Sequence, residues 1–261
     1  MIDLQGKRAL VGGSTQGIGK AIAVLFAKLG AHVTLLARDE QKLRATLAEL
    51  DTSKEQQHAF LCADFKQPTT LKSTIDSYIA RGVSFDILVN NTGGPAPGAI
   101  TEASIVAFEE AFAMHVLCNH ILTQALLPNM KEKKYGRIIN IISTSVKQPI
   151  PGLGVSNTIR AAVASWAKTL ASEVAPYGIT VNNVLPGATQ TARLESLILN
   201  KAQKTQRTRE DIIHEMLQEI PAKRFASPEE IANAVAFLAS PAAAYITGIS
   251  LAVDGGRTTC L

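Results

Sequence analysis

Gly13-Ser14-Thr15-Gln16-Gly17-Ile18-Gly19 carries the residue types that a phosphate cradle needs. Glycines let the backbone turn tightly and approach a pyrophosphate, and the free N–H groups and dipole of a following helix stabilise its charge. The spacing is G-x-x-x-G-x-G rather than the commoner G-x-G-x-x-G, and a structural turn is the alternative reading of such a pattern. Its place at the first strand–helix junction favours a dinucleotide. A second chemical signal closes the second strand. A carboxylate there would bond the adenosine ribose hydroxyls, but the chain has Ala37 and then Arg38. A guanidinium suits a 2′-phosphate through forked, charge-assisted contacts, so NADP(H) is expected over NAD(H). An ordinary surface arginine is the alternative.

Strands and helices in alternation must hold these groups. β-Branched runs at 8–11, 31–36, 58–63, 85–90, 137–142, 178–184 and 249–253 read as strands. Between the first two, Ile18, Ala21, Ile22, Leu25, Phe26 and Leu29 follow a helical period, and Gly30 reads as the stop. Ser227-Pro228-Glu229-Glu230 reads as another helix start, with a capping serine, proline in the first turn and glutamate three residues on. Alternation over the whole length implies right-handed crossovers and a parallel sheet covered on both faces. One doubly wound α/β domain, a Rossmann fold over 1–261, is expected.

Composition narrows the function classes. The 261 residues include 26 Lys+Arg and 22 Asp+Glu, and a net +4 is too small to imply nucleic acid. A 46% hydrophobic, 18% charged chain excludes wholesale disorder. Cys62, Cys118 and Cys260 lack metal-ligand spacing, and their odd number argues against a disulfide framework, so no metal is expected. An uninterrupted apolar run of membrane-spanning length is missing, as is a secretory layout at the N-terminus, so a cytoplasmic protein is expected. Lys201, Lys204, Arg207 and Arg209 form the strongest basic segment, either a solvated helix face or a basic lid over an anionic substrate tail.

With these residues in view, the chain resembles the short-chain dehydrogenase/reductase family, most of all its 3-oxoacyl-[acyl-carrier-protein] reductase branch. Asp64 stands where the family's aspartate meets the adenine. Asn90-Asn91-Thr92-Gly93 resembles the family's Asn-Asn-Ala-Gly on the fourth strand. Pro186-Gly187 with Thr191 resembles the segment at the nicotinamide, and Thr247-Gly248 with Val253-Asp254-Gly255-Gly256 resembles the C-terminal signature. The resemblance implies carbonyl reduction by hydride transfer on a 3-oxoacyl-thioester-like substrate.

The catalytic positions depart from the family. There a Ser precedes a Tyr by thirteen residues, and a Lys follows that Tyr by four. Ser143 matches the Ser, but Ser156 stands at the Tyr position, Arg160 at the Lys position and His115 at that of a helix Asn. A phenol has a pKa of about 10, lowered further by a nearby ammonium; a serine hydroxyl is far less acidic and shorter. Arg160 has donors for the nicotinamide ribose but gives up no proton near neutrality. Three readings stay open: a reductase in which Ser143 polarises the carbonyl and water or His115, titrating in a suitable range, supplies the proton; a different chemistry on the same scaffold; or a catalytically silent NADP-binding regulatory or partner protein.

Residues 190–222 have helical period and few glycines, and the resemblance makes them a substrate lid. The prolines of Gly93-Gly94-Pro95-Ala96-Pro97-Gly98 stiffen a loop beside the expected coenzyme site. Helices expected at 101–128 and 153–176 are apolar on more than one face, and relatives pair subunits through them, so a homotetramer is expected.

Overall fold

Seven short runs, five of them largely buried, pair side by side, each parallel to its neighbour, in the order β3-β2-β1-β4-β5-β6-β7. They are β1 (Arg8–Gly12), β2 (His32–Ala37), β3 (Ala59–Cys62), β4 (Ile87–Asn90), β5 (Gly136–Ile141), β6 (Ile179–Pro186) and β7 (Ser250–Val253). The computed structural model describes residues 2–260; Met1 and Leu261, the ends of the expected 1–261 domain, lie outside the described residues. All seven strands read from the sequence are present, their ends displaced by no more than two residues.

Both faces of the sheet are covered. On one lie α1 (Gly17–Lys28), α2 (Glu40–Ala48) and α9 (Pro228–Ala239), contributing Phe26, Leu43 and Val235 to a common core with Val11 and Val89. On the other lie α3 (Pro68–Ile79), α5 (Cys118–Glu132) and α6 (Gly154–Val174), packed over Leu10, Leu88, Ile138 and Val181. Alternate strand residues thus enter opposite cores, as a sheet buried on both sides requires. Gly30 ends α1 with φ +91°, and Ser227 and Glu230 form the capping box of α9, both as the sequence indicates.

The helix expected at 101–128 is built differently. A 3₁₀ turn (Ile100–Glu102) precedes it, and Ser104 caps α4 (Ile105–Phe112) by accepting from the Ala107 N–H at 3.2 Å. One wider π turn (Ala113–Leu117) then leads into α5, which continues through Pro128. Such a turn shifts the register of a helix face and is frequent at functional sites; here it contains His115. From Ile105 to Glu132 this run is long and apolar enough to cross a membrane, with a mean hydropathy of 1.3. Leu122, Leu126 and Met130 are buried against the sheet, although only 28% of the most apolar stretch is buried. Helix α6, expected at 153–176, matches closely.

A polar seam crosses four neighbouring strands of the sheet. Asn90 Nδ2 donates to Asn140 Oδ1 at 2.9 Å, Asn140 Nδ2 to Asn183 Oδ1 at 2.9 Å, and Asn183 Nδ2 to Ser250 Oγ at 3.2 Å. These residues are register partners across β4, β5, β6 and β7.

Candidate active site

The strand order reverses direction between β1 and β4, and ligands of open α/β sheets bind at that crevice. The glycine turn lies there, and its conformation requires glycine. Gly13 and Gly17 have φ +57° and +52°, and a Cβ on Gly19 would lie 2.2 Å from the Gly13 carbonyl oxygen. Asn91 donates its Nδ2 to the Gly12 carbonyl at 3.0 Å. Ser14 is buried and accepts from the Leu36 N–H at 3.0 Å, so its hydroxyl ties the turn to β2. Thr15 is half-buried and Gln16 exposed; Gln16 leads into α1 without capping it, and the first turn from Gly17 through Ile18 holds no acid. Its N–H groups and positive dipole end fit a diphosphate.

The remaining coenzyme candidates ring this crevice. Arg38 is exposed just past β2, while the neighbouring acids are engaged elsewhere, Asp39 with Lys42 and Glu40 with Arg44. That leaves the Arg38 guanidinium in no ion pair among the described residues. Asp64, beyond β3, is half-buried and accepts from the Lys66 N–H at 2.9 Å. Thr92 and Gly93 follow Asn91 in an irregular segment off β4. Pro186 ends β6, and Gly187 approaches Asp254 so closely that a Cβ would sit 2.7 Å from its Cα. Thr191 caps α7 (Ala192–Thr205), accepting from the Leu194 N–H at 3.3 Å. Its methyl group would lie 3.0 Å from a Cβ on Gly17, so the start of the lid rests on the glycine turn.

The four residues expected at the catalytic positions, His115, Ser143, Ser156 and Arg160, come from the π turn, the segment after β5, and α6. Ser143 follows β5 and accepts from the Ser145 N–H at 3.1 Å, leaving its own hydroxyl proton available. Ser156 and Arg160, four residues apart and so on one face of α6, are both buried. Arg160 Nη1 donates to the Ile141 carbonyl at 2.8 Å, while its Nε is buried without a partner. Burial, reinforced by the charge of Arg193, lowers Arg160 to about 10, so it stays protonated at neutrality. His115 is 2% exposed and its Nε2 has no partner. Burial first, then the charge of Arg160, hold its pKa well below 6.5, with the Gly93 backbone opposing them. The expectation that His115 titrates in a suitable range is therefore corrected: the imidazole is neutral near pH 7, and no imidazolium is in reserve.

The segment expected as a lid folds as α7 and α8 (Arg209–Gln218), joined around a small core of Leu194, Ile198 and Ile212. A cleft of about 500 Å³ lies beneath it, lined by Thr191, Leu194, Ile198, Ile213, Leu217 and Phe225 among others. The basic segment does not form a free cationic surface. Lys201 and Arg207 both bond Glu215, and Arg209 bonds Glu195 at 2.7 Å. Internal acids pair three of its four charges, which removes the electrostatic reason to place an anionic tail on it.

One group escapes the sequence motifs. Arg193 Nη2 donates to the Pro95 carbonyl at 2.5 Å and lies 3.4 Å from where a Cβ on Gly94 would be, bracing the proline loop. That loop is also stitched to the start of α6: the Gly98 N–H donates to Gly152 at 2.7 Å, and the Gly154 N–H donates to Gly98 at 3.2 Å. A signal for Arg193 did exist, since a cation in the first turn of a helix opposes the helix dipole.

Comparisons agree with this geometry. The family described as enoyl-(acyl carrier protein) reductase matches residues 13–258. A 3-oxoacyl-[acyl-carrier-protein] reductase of Rickettsia felis is 35% identical over 256 residues, 98% of each chain. L-Sorbose reductase from Gluconobacter frateurii, solved with NADPH and L-sorbose, superposes with TM-score 0.92 at 32% identity, covering 100% of this chain and 99% of that one. The 3-ketoacyl-(acyl-carrier-protein) reductase of Brucella melitensis, solved with NADH, gives 0.84 at 31%, covering 98% and 100%. The chain belongs to the short-chain dehydrogenase/reductase family, and is an oxidoreductase of the NAD(P)-dependent type.

Proposed function

We propose that this protein is an NADP(H)-dependent reductase of a 3-oxoacyl-type carbonyl, in which water replaces the family phenol as proton source. The observation that carries the reading is the cradle of Gly13, Gly17 and Gly19 under an acid-free helix start, with unpaired Arg38 at the end of β2. A bound reduced nicotinamide supplies a hydride to the carbonyl carbon. The chain does the rest. The Ser143 hydroxyl donates to the carbonyl oxygen and stabilises charge as it develops there. Ser156 leaves the room that a phenol would fill and holds a water there, hydrogen-bonded to neutral His115. That water protonates the new alkoxide, and the hydroxide left behind is neutralised from solvent. Buried Arg160 directs its unpartnered Nε to the nicotinamide ribose.

Stereospecific transfer of deuterium from 4-deuterated NADPH to an acetoacetyl thioester, read by mass spectrometry, tests the reading. Coenzyme binding without transfer to any ketone in a broad panel would favour the second reading, a silent NADP-binding partner protein, for which the loss of Tyr and Lys at positions 156 and 160 speaks.

The same proposal includes one nucleotide-binding domain over 1–261, a cytoplasmic setting and a homotetramer. Ile105, Val106, Phe112 and Leu117 are exposed along α4 and the π turn, and so support subunit pairing. On α6, by contrast, Val155, Ile159 and Val163 are buried within the subunit.

A further inference from the structure

Two arginines of this region have no acid to answer them among the described residues. Arg160 and Arg193 are in no ion pair among the described residues, whereas the exposed cations of the lid are largely paired. Arg160 is 8% exposed and its Nε lacks a partner. Arg193 is half-buried and reaches across from the lid to the Gly94-Pro95 loop, next to the Gly93 whose backbone influences His115. Each bonds a single backbone carbonyl, which answers a guanidinium's hydrogen bonds only in part and its charge not at all. Uncompensated buried charge is costly, and a carboxylate is the planar partner that a guanidinium fork fits best.

We propose that Arg193 is a receptor for a carboxylate carried by the carbonyl substrate, while Arg160 keeps its Nε for the nicotinamide ribose, so that the preferred substrates are small free oxo acids rather than neutral ketones. The inference deepens the carbonyl-reductase reading and rests on it. It agrees with the paired lid surface: positive charge is neutralised outside, where a carrier tail would run, and left unneutralised inside.

The test measures binding of 2-oxobutanoate, 3-oxobutanoate and 4-oxopentanoate, each against its methyl ester, by calorimetry on the protein with and without saturating NADP⁺. At least one acid is expected to bind roughly tenfold or more tightly than its ester. Arg193→Gln should abolish that preference, Arg193→Lys should restore part of it, and Lys204→Gln, an exposed cation on the same helix, should leave it intact. No acid outbinding its ester, or a preference that survives in Arg193→Gln, overturns the receptor. Absence of any NADP⁺ effect on melting overturns the reductase reading instead, while the acid–ester comparison on the free protein still decides the receptor.

Discussion

The side-chain amide of Asn91 donates to the Gly12 carbonyl across 3.0 Å, fastening the residue after β4 to the turn that follows β1. A residue 79 positions away in sequence thus holds the phosphate cradle in shape. Asn91→Ala leaves that carbonyl without its partner, at a cost of about 1–3 kcal/mol. The expected outcome is a lower melting temperature and a smaller stabilisation by NADPH. An unchanged melting shift with coenzyme would show that the turn holds itself.

Arg38 stands free at the end of β2, and a charge-assisted contact there is worth about 1.5–3 kcal/mol. Arg38→Ala is expected to weaken NADPH binding roughly 10- to 100-fold and to leave NADH affinity in place. Titration of both coenzymes checks this; equal losses for the two would assign Arg38 another role.

Buried His115 makes stability depend on pH. Its pKa in the folded chain lies well below the 6.5 of the exposed group, so between those two values the unfolded chain binds more protons. Stability therefore rises with pH across that window and is lost as pH falls below 6.5 toward the folded value. Urea midpoints at pH 7.5 and 5 should drop more for the native chain than for His115→Asn. An equal drop would place the acid sensitivity elsewhere.

Restoring the family pair tests the proton route. General acid catalysis is worth about 10²–10⁴-fold, so Ser156→Tyr with Arg160→Lys should raise NADPH-dependent reduction of acetoacetyl thioesters by at least about 10²-fold. If the rate stays flat while the variant remains folded, the pocket around α6 has diverged beyond these two side chains.

Much of the fold was legible because its signals are local. Seven short apolar runs define the strands, five of them largely buried, and the Gly30 and Ser227 signals hold. The glycine turn was equally readable, since a Cβ on Gly19 would lie 2.2 Å from the Gly13 carbonyl oxygen and one on Gly13 2.7 Å from Asn91 Nδ2. The start of α4 was misplaced because Ser104 caps it, and the π turn leaves no mark in the hydrophobic period. His115 illustrates a deeper limit: its type suggests a titrating group, but burial and the charge of Arg160 are tertiary facts. Arg193 went unread because its meaning depends on the Gly94-Pro95 loop, 98 positions from it at the bonded carbonyl.

The asparagine seam joins segments separated by 50, 43 and 67 positions. Sliding β5 or β6 by a single residue would break two of these contacts at once and turn its amide toward the opposite apolar layer. The seam thereby fixes how β4, β5, β6 and β7 lie against one another, and with it where Asn91, Ile142 and Gly187 leave the sheet.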